Sequence, residues 1–478
     1  MTAAAPAWPA LEYRRLPIPA AAFEVLAYLA VVAAASLAFV AGWMSVNAAI
    51  VLTVILLASL MVLSWIHLGQ GRHPVFLFLC TLMLFQGGRL VAYCLGAEPE
   101  PMRVIAMDSD FVLTRNEQGI VLLCLALSAI CIYAPCRWFY RPVKWECGER
   151  SGRFLPYLYL VFFLSLPMVL FKGYQYYQYA MAHGGYLFLY INHEALAATV
   201  PFWVRILAVV AAIVLVGVVV VERRPRFEIL AVLLYFGCSL PSLLLGSRMP
   251  TFSLALALFY VFRVKSETRF RVRSLIVFVL ALMLVAGFFG TIRSEYEKEN
   301  GFILPMEFVR QQGISLNVTE VAVRNPEVFR RYQFSYLSNE IQAAFVGSGA
   351  YNYARGRMWD ADVSTFLDAG LYRTGLGVGG SYIAEAYAYW GLIGVMIASI
   401  GIGMGLTYLA KHSNTAIGLF VVAITLPDIF LMPRGSLFGW ASLLARSGIV
   451  VALLALGWQL YRLLTCFRHQ PVTSTEMS

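Results

Sequence analysis

FWVRILAVVAAIVLVGVVVV, Phe202–Val221, is a run of twenty residues with a single charged side chain, Arg205. A helix of about 20 apolar residues crosses the hydrocarbon core of a bilayer. In that layer every backbone polar group needs a partner from its own segment, so the run reads as a transmembrane α-helix. Comparable runs recur on both sides of it: Ala22–Gly42, Ala48–Ile66, Val75–Gly96, Gly119–Trp138, Phe154–Phe171, Phe227–Gly246, Met249–Phe262, Ser274–Gly290, Ser381–Ala410, Ala416–Met432 and Phe438–Tyr461. The expectation is an all-α, polytopic membrane protein with about 12 transmembrane helices. Met249–Phe262 is short for a full crossing and is also compatible with a re-entrant segment. Of the 478 residues 60% are hydrophobic and 13% charged, against about 25% charged in soluble domains.

Lysine and arginine concentrate at Arg14 and Arg15, Arg72, Arg137–Arg153, Arg223–Arg226, Arg263–Arg273, Lys411, Arg462 and Arg468. The short alternate loops hold only Arg103, Arg115, Arg248 and Arg434. Basic loops stay on the cytoplasmic side, which predicts both termini in the cytoplasm, and the long hydrophilic segment 291–380 escapes the rule by its length. Met1–Ala20 lacks the charged start and short apolar core of a removable signal peptide. The net charge of +10 then reflects topology and gives no reason to invoke nucleic acid. Eight cysteines are present without a C-x-x-C pair, so neither a disulfide framework nor a Cys/His metal site is expected.

No internal repeat divides the chain, and 1–478 reads as one membrane domain. Two outward segments exceed simple turns: Lys172–Pro201, rich in tyrosine, and the large outer loop 291–380. The second mixes acids and bases with aromatics such as Tyr336, Tyr351 and Trp359. Such a segment suits a lid whose rings stack on sugars, or simple interfacial anchoring.

Charged side chains at the mouths of spanning helices are costly and mark function. Arg248 in GSRMP, Arg293 in GTIRSEY, Arg373 in YRTGLG and Arg434 in MPRGS all fall on the outward side, each near Gly, Pro or Ser. Arg89 in QGGR lies deeper and points to the same side by snorkelling. Convergent guanidinium groups fork onto phosphate oxygens and keep their protons, which suits an anionic, lipid-borne phosphate. Headgroup contacts and helix caps are the plainer roles. After Arg373 come Gly375, Gly377, Gly379 and Gly380, then Ser381 as a helix cap, so a helix N-terminus favours an anion at the same place. Glu385 follows one turn later. It either completes a capping box with Ser381 or pairs with Arg373, or it serves as a general base toward a sugar hydroxyl.

On these residues the sequence resembles the Wzy-type polysaccharide polymerases. The resemblance covers the helical layout and the pieces GSRMP, GGY at Gly184–Tyr186 and GLGVGGSYIAEAYAYWGLIGV at Gly375–Val395. It implies a membrane glycosyltransferase of the bacterial inner membrane, with no metal or nucleotide-sugar cofactor. Its substrates would be undecaprenyl-pyrophosphate-linked glycans, polymerised at the periplasmic face for O-antigen, capsule or exopolysaccharide, with a chain-length regulator and a flippase as partners. The expected catalytic set is Glu385, Arg248 and Arg434. Arg293, Arg373, Arg89, Tyr382, Tyr387, His183 and Tyr186 are expected to bind substrate, with His183 a rival base. O-antigen ligases share the layout but resemble this chain less, because no histidine lies between Thr291 and Gly380. Sugar transferases with an early acidic pair, here Asp108 and Asp110, and flippases with symmetric halves fit less well.

Overall fold

The computed structural model describes residues 18–104, 111–140, 145, 153–183, 199–244, 249–266, 305–330, 336, 338–339, 359–367, 369 and 379–467. In chain order these form α1 (Ile18–Val40), α2 (Val46–His67), α3 (Val75–Phe85), α4 (Gly88–Cys94), β1 (Arg103–Val104), β2 (Phe111–Val112), α5 (Arg115–Phe139), α6 (Leu155–Ala182), α7 (Phe202–Val221), α8 (Pro225–Leu244) and α9 (Met249–Lys265). Then follow α10 (Pro305–Gln312), α11 (Ser315–Arg324), α12 (Pro326–Arg330), α13 (Trp359–Leu367), α14 (Tyr382–His412), α15 (Ala416–Leu431), a 3-10 turn (Met432–Arg434) and α16 (Gly439–Phe467). β1 and β2 pair antiparallel, Arg103 opposite Val112.

The core is built around α5, which begins at a capping box formed by Thr114 and Glu117 and packs most extensively against α14. Lipid supplies no hydrophobic drive between helices, so close approach of small residues and interhelical hydrogen bonds hold such pairs. Here Gly403 lets the backbones touch: a Cβ there would lie 2.4 Å from the Ile132 carbonyl oxygen. Ser399 donates to Ser128 at 3.2 Å, and Ser128 also hydrogen-bonds Tyr382. α1 and α2 lean on the other side of α5, α6 packs with α7 and α8, and α9 joins α15.

Eight helices are long and apolar enough to cross a membrane, nine if the bent pair α3–α4 is one span, among the described residues. The expected twelve is therefore not established. Ser274–Gly290 lies outside the described residues, and α9 has 17 residues, below a comfortable crossing length. Two expected boundaries move. Val75–Gly96 is not one straight span but bends by 67° at Gln86–Gly87, where Gly87 and Gly88 weaken the helix. The outward segment expected from Lys172 is helical as far as Ala182, because Tyr, Gln and Ala sustain a helix where hydropathy has already fallen. Gly173 also lets α6 approach α8, its notional Cβ lying 2.8 Å from Ser242 Oγ.

The described parts of the 291–380 segment are helical and form a cap on one end of the bundle. α11 is buried along Ser315–Val323 and packs against α14, α5 and β1. Val318, Phe329, Tyr336, Trp359 and Val363 share a second hydrophobic cluster with Ala384 and Tyr389 of α14. α14 itself breaks at Trp390 and Gly391, where Gly391 has φ 61°, a conformation glycine adopts freely. Its first two turns, Tyr382–Tyr389, thus belong to the cap as much as to the bundle.

Candidate functional site

The cap meets the bundle where three interruptions converge: the α3–α4 break, the N-terminus of α14 and the 3-10 turn after α15. Gln86, buried at the break, donates to the Pro433 carbonyl at 2.5 Å and the Ser315 carbonyl at 3.2 Å. It accepts from Thr319 Oγ1 at 2.9 Å, and Thr319 lies 3.2 Å from Ser381 Oγ. A buried amide with these partners fixes the three interruptions relative to one another.

Arg434 ends the 3-10 turn, half-buried. Its guanidinium donates to Gln312 Oε1 at 2.9 Å and sits 5.9 Å from the centre of the Phe85 ring. The Gly380 N–H donates to the Arg434 carbonyl at 2.9 Å, and a Cβ on Gly380 would lie 2.9 Å from the Gly435 carbonyl carbon. The glycine pair before α14 therefore permits the arginine turn to lie directly on that helix N-terminus, a place that favours anions.

Ser381 caps α14 as expected, accepting from the Ala384 N–H at 3.3 Å. The capping-box reading of Glu385 fails, because Ala384 holds the third helical position and Glu385 the fourth. Its carboxylate reaches instead across to the segment after Arg434. It accepts from Ser436 Oγ at 3.0 Å and from the Leu437 N–H at 2.6 Å, and from the Tyr389 hydroxyl at 2.6 Å. Glu385 is fully buried; its Oε2 clasps the segment after Arg434 to α14 while its Oε1 is held by Tyr389 within α14.

Arg89 is also near this end but is turned inward. It donates to the Arg103 and Glu100 carbonyls at 2.9 and 3.0 Å and to Asn317 Oδ1 at 2.5 Å, and its Nε lies 3.5 Å from Glu98. The expected snorkelling toward a phosphate does not occur: these partners tie α4 to the cap. Gly313 makes the seam possible, since a Cβ there would lie 2.4 Å from the Arg89 nitrogen. Tyr382 faces the α5 core, against Ser128 and the Phe78 ring, so it is placed to pack rather than to orient a sugar. Tyr387 is half-buried against the main core. His183 follows α6, where its Nδ1 donates to the Tyr179 carbonyl at 2.8 Å and its ring lies tilted against that of Tyr179. Arg248, Arg293, Arg373 and Tyr186 lie outside the described residues.

Beside Arg89, Glu320 of α11 is fully buried, and neither of its carboxyl oxygens has a hydrogen-bond partner among the described residues. Burial pushes its carboxyl up to about 8, with Arg89 opposing and Glu98 adding to the rise. Sequence reasoning missed Gln86, Asn317, Thr319 and Glu320. Gln86 left a signal, a lone amide inside an apolar run and next to Gly-Gly. Glu320 left none, being one acid in a segment of balanced charge.

The family model described as O-antigen polysaccharide polymerase Wzy matches residues 25–462. No curated protein and no solved structure matches the chain.

Proposed function

The chain belongs to the O-antigen polysaccharide polymerase Wzy family, and from that premise we propose that it transfers a glycan from undecaprenyl pyrophosphate to a second lipid-linked repeat unit. The carrying observation is Arg434, held on a 3-10 turn against the N-terminus of α14 by the Gly380 hydrogen bond and the Glu385 clasp. A pyrophosphate leaving group already carries the energy of the bond, so the protein's task is to stabilise negative charge as it develops. A rigidly held guanidinium beside a helix N-terminus suits that task. Arg248, Arg293 and Arg373 complete the grip in this proposal, while Arg89 serves to anchor the cap.

The transfer uses neither a nucleotide sugar nor a metal, and takes place on the outer face of the bacterial inner membrane, with both chain termini in the cytoplasm. A flippase that delivers repeat units and a chain-length regulator are the partners this substrate supply calls for. The test is reconstitution of the purified protein in vesicles with isolated lipid-linked repeat units. Lengthened glycan ladders are expected; movement of substrate between leaflets without lengthening overturns the proposal.

A further inference from the structure

We propose that Glu320 is the proton acceptor of the transfer, receiving the proton of the sugar hydroxyl that attacks the anomeric carbon. This rests on the glycosyl-transfer reading above.

Three buried side chains around α11 have oxygens without hydrogen-bond partners among the described residues: Ser315 Oγ, Glu98 Oε2, and both carboxyl oxygens of Glu320. Buried polar groups are nearly always hydrogen-bonded, and those left open cost stability. Glu98 Oε2 has Arg89 and Arg310 at 3.5 Å, which leaves Glu320, with both oxygens open, as the carboxyl whose partner comes from elsewhere. Glu385 offers the contrast, since its oxygens are taken by Tyr389, Ser436 and Leu437 and it has little left for a substrate.

Glu320 is held rigidly. One residue before it, Thr319 joins the Gln86–Ser381 network, and three residues before it, Asn317 accepts from Arg89. Charged and titratable groups on the surrounding elements include Arg89 and Tyr93 on α4, Glu98 after it, Arg103 on β1, Arg115, Glu117 and Cys124 on α5, Arg310 on α10, Glu327 and Arg330 on α12, and Tyr382, Glu385, Tyr387 and Tyr389 on α14. Of these, Arg89 and Glu98 act on Glu320 through space, Arg89 favouring its ionised form and Glu98 opposing it.

In this proposal the acceptor hydroxyl approaches from the side of Glu98, which acts on Glu320 through space. Glu98 lines a surface cavity of about 840 Å³ together with Asn47, Leu52 and Tyr93, and its carboxylate is 3.5 Å from both Arg89 and Arg310. Arg310 is 35% exposed, so its contact links the buried Arg89–Glu98 pair to the surface.

The step balances as follows. The acceptor oxygen bonds to the anomeric carbon, and the bond from that carbon to the pyrophosphate oxygen breaks. The electron pair leaves on the diphosphate, and the hydroxyl proton passes to the Glu320 carboxylate. Only ionised Glu320 accepts a proton, so turnover rises with pH across the region of about 8 where the carboxyl ionises.

The experiment measures lengthening of lipid-linked repeat units by the reconstituted full chain from about pH 6 to pH 10, with Glu320→Gln and Glu320→Asp beside the wild type. Wild type is expected to show a rising limb with its midpoint near pH 8. Glu320→Gln is expected to lose about 100-fold or more of the rate while melting no lower than wild type, and Glu320→Asp to recover part of it. A wild-type rate that is flat over this range, or normal lengthening by Glu320→Gln, overturns the proposal. If Glu320→Gln does not accumulate, the wild-type limb decides alone. Wild type that moves glycan between leaflets without lengthening it removes the transfer reading itself.

Discussion

The carboxylates at one end of the helix bundle are paired, whereas at the other end Glu320 is buried with both oxygens open among the described residues. At the end opposite the cap, Glu24 accepts from the Tyr133 hydroxyl at 2.6 Å and from Arg137 at 3.3 Å. Glu228 faces Lys265 at 2.5 Å, and Glu222 accepts from Tyr159 at 2.8 Å and is paired with Arg224 at 3.1 Å. At the cap end Glu320 is left without any such partner among the described residues. Paired charges close a surface and fix helix order, whereas an unpaired buried carboxyl opposes folding and persists only where something else requires it. Substitutions at the paired carboxylates should therefore act on assembly, and those at Glu320 on chemistry.

The largest effect is expected at the paired end. Lys265 also donates to the Val219 and Glu222 carbonyls at 2.5 and 2.6 Å, so Lys265→Met removes three contacts and strands Glu228. Breaking such a pair costs about 3–5 kcal/mol, and a large fall in melting temperature and in protein recovered from membranes is expected. Unchanged melting would break the comparison, because pairing would then not be what holds that end.

Next in size is a pH effect from the cap. The folded state holds the Glu320 proton to about 8, while the unfolded chain releases it near 4.5. Between those values folding takes up a proton, so stability is highest below the lower one, falls as pH rises and levels off above the upper one. At about 1.4 kcal/mol per pH unit the fall from pH 5 to pH 8 reaches at most about 4 kcal/mol. Melting temperature against pH should show this slope in wild type and lose it in Glu320→Gln.

Arg434→Lys should lower lengthening by about 10–100-fold, equivalent to about 1.4–2.7 kcal/mol, because an ammonium cannot reproduce the guanidinium fork. Its melting temperature should stay close to wild type. Wild-type rates from this variant would move the anion grip away from the 3-10 turn.

Much of the bundle was legible because hydropathy is a local property. Phe202–Val221 is a helix with the bounds its composition predicts, and Ser381 is the cap its spacing predicts. Illegible were features set by partners distant in sequence. Arg89 looked like a phosphate ligand until Asn317, 228 residues away, took its guanidinium. Glu320 drew no notice because it is one acid in a segment that mixes acids and bases. Only the packing of α14, α5 and β1 around it reveals that all its faces are covered.

The smallest effect separates the two glutamates most sharply. Glu385 and Glu320 are both fully buried at the cap end, and sequence alone favours Glu385 as the base. Glu385→Gln retains one acceptor oxygen but turns an amide N–H₂ toward donors, the Leu437 N–H or the Tyr389 hydroxyl. Losing one such bond costs about 1–2 kcal/mol. The loosened clasp lets the Arg434 turn shift from the α14 N-terminus, so lengthening should fall several-fold. A clasp carries no proton in the reaction, so the rising limb of rate against pH should keep its midpoint in this variant. If the limb instead disappears in Glu385→Gln and survives in Glu320→Gln, the roles of the two carboxylates must be exchanged. The Ser436 and Leu437 hydrogen bonds would then describe a resting state that opens before transfer.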